Sequence, residues 1–230
     1  MIDTIIYTYK TPTYRIYPID VNQKEWISKS ISSIRKLNIY NVELYTNSKE
    51  FAKDLDIDTI HYINDDYLLW DSFKIHVLKS HPTNNYFLSD NDIIYHSDIK
   101  FDMSSKLMFD TFEVKNWNWA YDNTIHQLKE LDLLDTSLWD YSKRRVIGVG
   151  ILSILDDVFK SKYISEWEHT YNILKPHLHK FNLTYLTAVI TQYLLTLLVE
   201  SYDIPYQNFS EKKYYTHYSG YTKIKGSRII

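Results

Sequence analysis

The run Tyr86-Phe87-Leu88-Ser89-Asp90-Asn91-Asp92-Ile93-Ile94-Tyr95 sets an acidic pair between two apolar stretches. In extended chain, residues two apart project from one face, so Asp90 and Asp92 can converge on a single point. Two carboxylates there repel unless a cation joins them. A hard divalent ion such as Mn²⁺ or Mg²⁺ suits oxygen ligands, and it can also bridge to the phosphates of a nucleotide. Near the C-terminus, His217-Tyr218-Ser219-Gly220-Tyr221-Thr222-Lys223 supplies complementary parts. A neutral imidazole can be a third metal ligand, Gly220 lets backbone approach a phosphate closely, and Lys223 offers a compact positive charge. Taken singly, the first segment also fits a solvated strand end and the second a surface loop with a stray histidine. Asp54-Leu55-Asp56-Ile57-Asp58 repeats the Asp-x-Asp spacing where a helix end is expected. Placement separates Asp90 and Asp92 from it: an apolar strand before, an apolar run after. An EF-hand loop is excluded, because Ile94 and Tyr95 stand where a ligand and a glycine are required.

The elements that must carry these residues alternate in type. Thr4 to Tyr9 is rich in β-branched and aromatic residues and reads as a strand. Trp26, Ile27, Ile31, Ile34 and Leu37 recur at helical spacing after the cap candidate Asn22. Val42 to Thr46 is the next strand, Asn47 or Ser48 can cap a short helix through Leu55, and Thr59 to Ile63 is a third strand. Tyr67 to Leu78 reads as a helix, and Asn85 to Ser89 as the strand leading into Asp90. Four alternations of this kind predict an α/β sheet with parallel neighbours. Ligands in such sheets bind beyond the carboxyl ends of the strands.

The second half is less regular. Helices are expected over Asn123 to Leu134, Ser165 to His179 and Leu183 to Glu200, with a strand from Arg145 to Ile151. Tyr202 to Ile230 has Pro205, Gly220 and Gly226 and no clear periodicity, and reads as a tail laid over the domain. The chain is expected to be one domain, residues 1–230, with a nucleotide-sugar-binding half over 1–100 and an acceptor-side half with the tail over 101–230.

The two motifs together resemble the GT-A fold glycosyltransferases, and family 8 (the glycogenin and galactosyltransferase type) in particular. The resemblance implies a Rossmann-like mixed sheet flanked by helices, with a smaller helical second half. It implies that Asp90, Asp92 and His217 hold Mn²⁺, and that Gly220 and Lys223 contact the diphosphate of a nucleotide-sugar. Asp90, Asp92 and Lys223 thereby become the catalytic candidates. Thr8 and Tyr9 end what looks like the first strand of the family and are nucleotide-binding candidates, as Asn91 is between the two carboxylates. Lys74 sits on the helix before the acidic pair, where such enzymes carry a basic residue near the donor. Gly148-Val149-Gly150-Ile151-Leu152 looks like the strand beside the donor sugar, so Gly148 and Gly150 are candidates too. Gly148 stands where the family has Asn, and Lys223 is followed by Ile224-Lys225 rather than Pro-Trp. The acidic-Gln pair of the family is echoed only by Thr191-Gln192. Asp156 and Asp157 follow the glycine strand and would suit either a general base or a helix cap.

Composition narrows the function classes. Hydrophobic residues at 44% and charged residues at 24% allow a sizeable core. Tyr 22 and Trp 6 against Gly 4 suit clefts for hydroxylated ligands, although an AT-rich coding bias gives the same excess. A net charge of -3 gives no broad footprint for nucleic acid. Lys212, Lys213, Lys223, Lys225 and Arg228 form a local basic stretch that leaves DNA open as an acceptor. The absence of Cys removes disulfides and thiolate metal sites and fits a reducing compartment. No secretory signal follows Met1, and Leu186 to Val199 reads as a buried helix too short to span a bilayer, so a cytoplasmic protein of a bacterial or phage-infected cell is expected. The reading is a metal-dependent transferase moving a sugar, from a UDP-sugar by preference, to a hydroxyl acceptor. Polysaccharide, lipid-linked sugar, protein or modified phage DNA all fit as that acceptor. The competing classes are a metal-dependent phosphate-ester enzyme and a non-catalytic carbohydrate- or protein-binding module.

Overall fold

A computed structural model describes residues 2–11, 22–64, 66–82, 84–100, 104–114, 119–134, 138–139, 145–209 and 214–218. The elements follow in the order β1 (Thr4–Tyr9), α1 (Gln23–Arg35), β2 (Asn41–Thr46), α2 (Lys49–Ala52), β3 (Thr59–Tyr62), α3 (Ser72–Ser80) and β4 (Tyr86–Ser89). Next come β5 (Ile93–Tyr95), β6 (Leu107–Phe109), β7 (Phe112–Val114), α4 (Trp119–Leu131), β8 (Arg145–Ile147) and β9 (Ile151–Ile154). The chain continues through α5 (Asp157–Leu174), a 3₁₀ stretch (Lys175–Lys180) and α6 (Leu183–Ala188). A π-helical turn (Val189–Tyr193) joins α6 to α7 (Leu194–Ser201), and β10 (Tyr206–Asn208) and β11 (Tyr215–His217) follow.

A seven-stranded mixed sheet runs in the order β10-β6-β9-β4-β1-β2-β3. The first four strands are parallel, as the alternation of elements requires. β9 alone is antiparallel, to β4 on one side and β6 on the other. β1 is central and buried over Thr4 to Tyr7, which explains why it is apolar on both faces rather than alternating. Ile5, Tyr7, Phe87 and Ile151 point into a core layer beneath α1, with Ile27, Ile31 and Ile34. Ile6, Leu88, Phe109 and Leu152 point the other way, into a larger core with Tyr163, Trp167, Leu194 and Leu195. Helices thus cover both faces of the sheet.

Local signals set most boundaries. Asn22 caps α1, its side chain accepting from Glu25 N at 3.1 Å, and Ser48 caps α2 through Phe51 N. α3 starts later than expected, at Ser72. Asp156 caps α5 by accepting from Phe159 N at 2.8 Å and also pairs with Lys106 at 2.9 Å, while Asp157 engages Asn84 and Lys160. Because β9 runs antiparallel, its carboxyl end delivers both Asp residues to the end of the sheet opposite Asp90, so the general-base alternative for them falls. The single strand expected over Arg145 to Ile151 is two strands in different sheets, broken at Gly148-Val149-Gly150, since β8 pairs with β7 instead.

The helix over Leu183–Ser201 has the length and mean hydropathy, 1.4, to cross a membrane, which corrects the expectation that it is too short. However, 67% of it is buried within the protein, as a core helix requires. Trp167 is fully buried, stacks on Tyr171 with centroids 5.5 Å apart and donates to Thr191 Oγ1 at 3.3 Å. Trp167→Ala is expected to remove about 3–5 kcal/mol of stability, measured by urea unfolding.

Candidate metal and donor site

Asp90 follows the last residue of β4, and the β1–β4 register, which ends at Tyr7 opposite Ser89, places Thr8 beside it. Asp90 N donates to Gly150 O at 2.7 Å, so the glycine turn before β9 lies against the carboxyl end of β4. His217 arrives from far along the chain by backbone pairing. β11 runs antiparallel to β5 with His217 opposite Ile93, and Tyr218 N donates to Asp92 O at 3.0 Å. One ligand atom each from Asp90, Asp92 and His217 lies within 4.8 Å of the others. His217 Nε2 stands 3.4 Å from Asp92 Oδ1 and 3.8 Å from Asp90 Oδ2. The side chain of Asp92 is 6% exposed, whereas those of Asp90 and His217 are 25% and 24% exposed, so the site opens on one side.

Asp110 completes the arrangement, and the sequence reading missed it. Its Oδ2 accepts from His217 Nδ1 at 2.7 Å, and Tyr215 donates its hydroxyl to Oδ1. With Nδ1 so engaged, Nε2 is left to face Asp90 and Asp92, the geometry in which a carboxylate orients a metal-binding histidine. Gly150 is the residue that lets these groups meet. A Cβ there would stand 2.6 Å from Asp110 Oδ2 and 2.6 Å from His217 Cε1, so any side chain would displace both. Gly148, the other glycine of the turn, would place a Cβ 3.1 Å from Thr111 O.

Charge explains why these groups are held so firmly. Burial disfavours the Lys74 ammonium, but Asp71 and Asp90 outweigh it and hold its pKa above the usual lysine range. Lys74 is 2% exposed and donates to Asp90 Oδ1 at 2.7 Å and to Val149 O at 3.1 Å, so it reaches the site through Asp90. Burial likewise disfavours the His217 imidazolium, yet Asp92 and Asp110 hold its pKa well above the ordinary value. Among the described residues, Lys74 pairs with Asp71 and Asp90, and His217 faces Asp90, Asp92 and Asp110. Asn91 Oδ1 is buried and has no hydrogen-bond partner among them. Two converging carboxylates and an oriented imidazole nitrogen fit a hard divalent cation.

The other expected site residues fall around this centre or outside view. Thr8 and Tyr9 end β1 on the same side of the sheet, with Tyr9 stacked on Phe51. Gly220 and Lys223 lie outside the described residues, as do Lys212, Lys213, Lys225 and Arg228. Tyr121 is buried beside Glu113. Asp110 did carry a weak signal: like Asp90, it follows a short apolar run, here Leu107-Met108-Phe109.

No family model matches the sequence, and no curated protein matches it. Solved structures do resemble it. The glycosyltransferase GlyE of Streptococcus pneumoniae TIGR4 superposes with a TM-score of 0.50 at 9% identity, over 91% of this chain and 45% of that one. The fold is of the Rossmann-like GT-A type. This chain spans less than half the length of GlyE. The CTP:phosphocholine cytidylyltransferase LicC of Streptococcus pneumoniae gives a TM-score of 0.47 at 10% identity, over 98% of this chain and 97% of that one.

Two substitutions test the centre without touching its three candidate ligands. Asp110→Asn should weaken Mn²⁺ binding about 10–100-fold, and Gly150→Ala should weaken it at least as much, both read by calorimetry on folded protein. Because His217 must lose its proton to bind a metal, the wild-type binding enthalpy should vary with the ionisation enthalpy of the buffer.

Proposed function

We propose that the protein is a metal-dependent glycosyltransferase that moves a sugar from a nucleotide-diphosphate donor, UDP-sugar by preference, to a hydroxyl acceptor. The observation that carries the reading is the convergence of Asp90, Asp92 and His217 at the carboxyl end of a central strand in a GT-A-type sheet. Resemblance in fold to a glycosyltransferase supports it. Asp90, Asp92 and His217 would hold Mn²⁺ or Mg²⁺, which when bound neutralises charge on a diphosphate leaving group.

The chain's own residues divide the remaining work. Lys74 fixes Asp90 by one oxygen and leaves the other facing the site. Asp110 fixes the His217 ring. Thr8 and Tyr9, at the end of the neighbouring strand, meet the nucleoside, and the backbone of the Gly148-Val149-Gly150 turn borders the donor sugar. Gly220 and Lys223 supply close backbone approach and positive charge to the diphosphate, where charge develops as the glycosidic bond breaks. The likeness of the two motifs to family 8 favours retention of anomeric configuration. The acceptor enters from the second half of the chain.

Calorimetric titration with UDP, with and without Mn²⁺, tests the reading. Binding should require the metal and should be lost in Asp92→Ala. Failure of UDP, GDP and CDP alike to bind in the presence of Mn²⁺ would overturn the proposal.

A further inference from the structure

Glu113 occupies the centre of β7, where it stands opposite Val146 of β8. Its neighbour Phe112 packs against Phe109 and Tyr206, and residue alternation turns Glu113 to the other face, toward the glycine turn and α4. A Cβ on Gly148 would stand 3.5 Å from both Cγ and Oε1 of Glu113. The carboxyl group therefore lies across the same turn whose other glycine, Gly150, abuts Asp110 and His217. The charges of His217, Asp110 and Asp90 all act on it, and burial raises its pKa above the ordinary glutamate value.

Behind Glu113 stands a polar relay. Tyr121 Oη lies 3.3 Å from Glu113 Oε2 and is also hydrogen-bonded to the Gln192 amide. One hydroxyl proton shared between two acceptors makes two weak, bent bonds. With the amide nitrogen of Gln192 turned to Tyr121, the amide donates to the phenol oxygen and the phenol donates to Glu113, so each proton has a single acceptor. Gln192 is aimed there by the π-helical turn Val189–Tyr193, a deviation that helices show frequently at functional sites. This turn is fixed by Tyr163, which donates to Thr191 O at 3.0 Å, and by Thr196 Oγ1, which donates to Gln192 O at 2.8 Å. The relay orients one oxygen of Glu113. The other, Oε1, has no hydrogen-bond partner among the described residues and is the oxygen nearest Gly148.

We infer that Glu113 is a substrate-binding residue whose Oε1 accepts a hydrogen bond from a hydroxyl of the donor's sugar, with Tyr121 and Gln192 as its positioning residues. The inference rests on the glycosyltransferase reading and locates the sugar within it. Glu113 is half-buried, and an oriented oxygen left without a partner in the protein favours a ligand that brings a hydroxyl over one that displaces its water and offers none. The sugar lies against the glycine turn, between the Asp90-Asp92-His217 centre and the strand pair β7–β8.

The test compares UDP with UDP-glucose, UDP-galactose and UDP-N-acetylglucosamine, each titrated with Mn²⁺ into wild type, Glu113→Gln and Tyr121→Phe. Wild type should bind one UDP-sugar more tightly than UDP. Glu113→Gln should leave the UDP affinity within about twofold and lower that of the preferred UDP-sugar about tenfold, with Tyr121→Phe giving a smaller loss of the same kind. Equal weakening of UDP and UDP-sugar would assign Glu113 a purely structural role and overturn the inference. Undiminished UDP-sugar binding with lost transfer would place the carboxyl at the acceptor and overturn it as well, as would a wild type that binds UDP but gains nothing from any of the sugars. A wild type that binds no nucleoside diphosphate fails at the earlier step, the glycosyltransferase reading itself.

Discussion

The hydrogen bond from His217 Nδ1 to Asp110 decides which imidazole nitrogen faces Asp90 and Asp92, and the surrounding structure is arranged to keep it. Asp110 is 4% exposed, so its charge would be costly without the Tyr215 hydroxyl on one oxygen and the imidazole on the other. Both donors come from β11, so the pairing of that strand with β5 and the satisfaction of Asp110 are one event. Gly150 is confined for the same reason, since a Cβ there would stand 2.6 Å from each of the two side chains. A segment near the end of the chain is thereby bound to β5 by backbone pairing and to the residue after β6 by charge.

The reversed strand β9 complements this. Because it runs against its neighbours, it begins at the end of the sheet where the parallel strands finish. Its first residues, and the glycine turn before them, therefore share a rim with Asp90. Had β9 been parallel, Asp156 and Asp157 would have stood at that rim in place of Gly150. The direction of one strand separates two acidic pairs that look comparable in sequence, leaving one to cap a helix and the other to converge with His217.

Much of this was legible beforehand. The β-branched run at Thr4 to Tyr9, the caps Asn22 and Ser48, and the long apolar segment beginning at Leu183 are local signals with local causes, and the structure places elements there. Asp90 and Asp92 stood out by their apolar flanks, and His217 by the His-x-x-Gly-x-x-Lys pattern that it begins. Asp110 and Glu113 did not, since each follows a three-residue strand or lies within one, and alternation over so short a span cannot be told from chance. The break at Gly148-Gly150 was also hidden. Flanked by Arg145-Val146-Ile147 and Ile151-Leu152, it reads as continuous extended chain, and only the pairing of each half with a different partner divides it.

The π-helical turn between α6 and α7 has a consequence for the whole helical half. In a regular helix each residue advances the face by about 100°, so the surplus residue that such a turn absorbs offsets the sequence pattern of everything after it by roughly that angle. α6 lies against α4, whereas α7 lies against α5 and β8, two walls that no single straight stripe of apolar residues could serve. The defect acts as a phase shifter: it lets one continuous rod seal two surfaces set at an angle. It also means that deleting one residue near Gln192 would return the turn to regular α-helix and leave Leu194 to Val199 on the core they now fill.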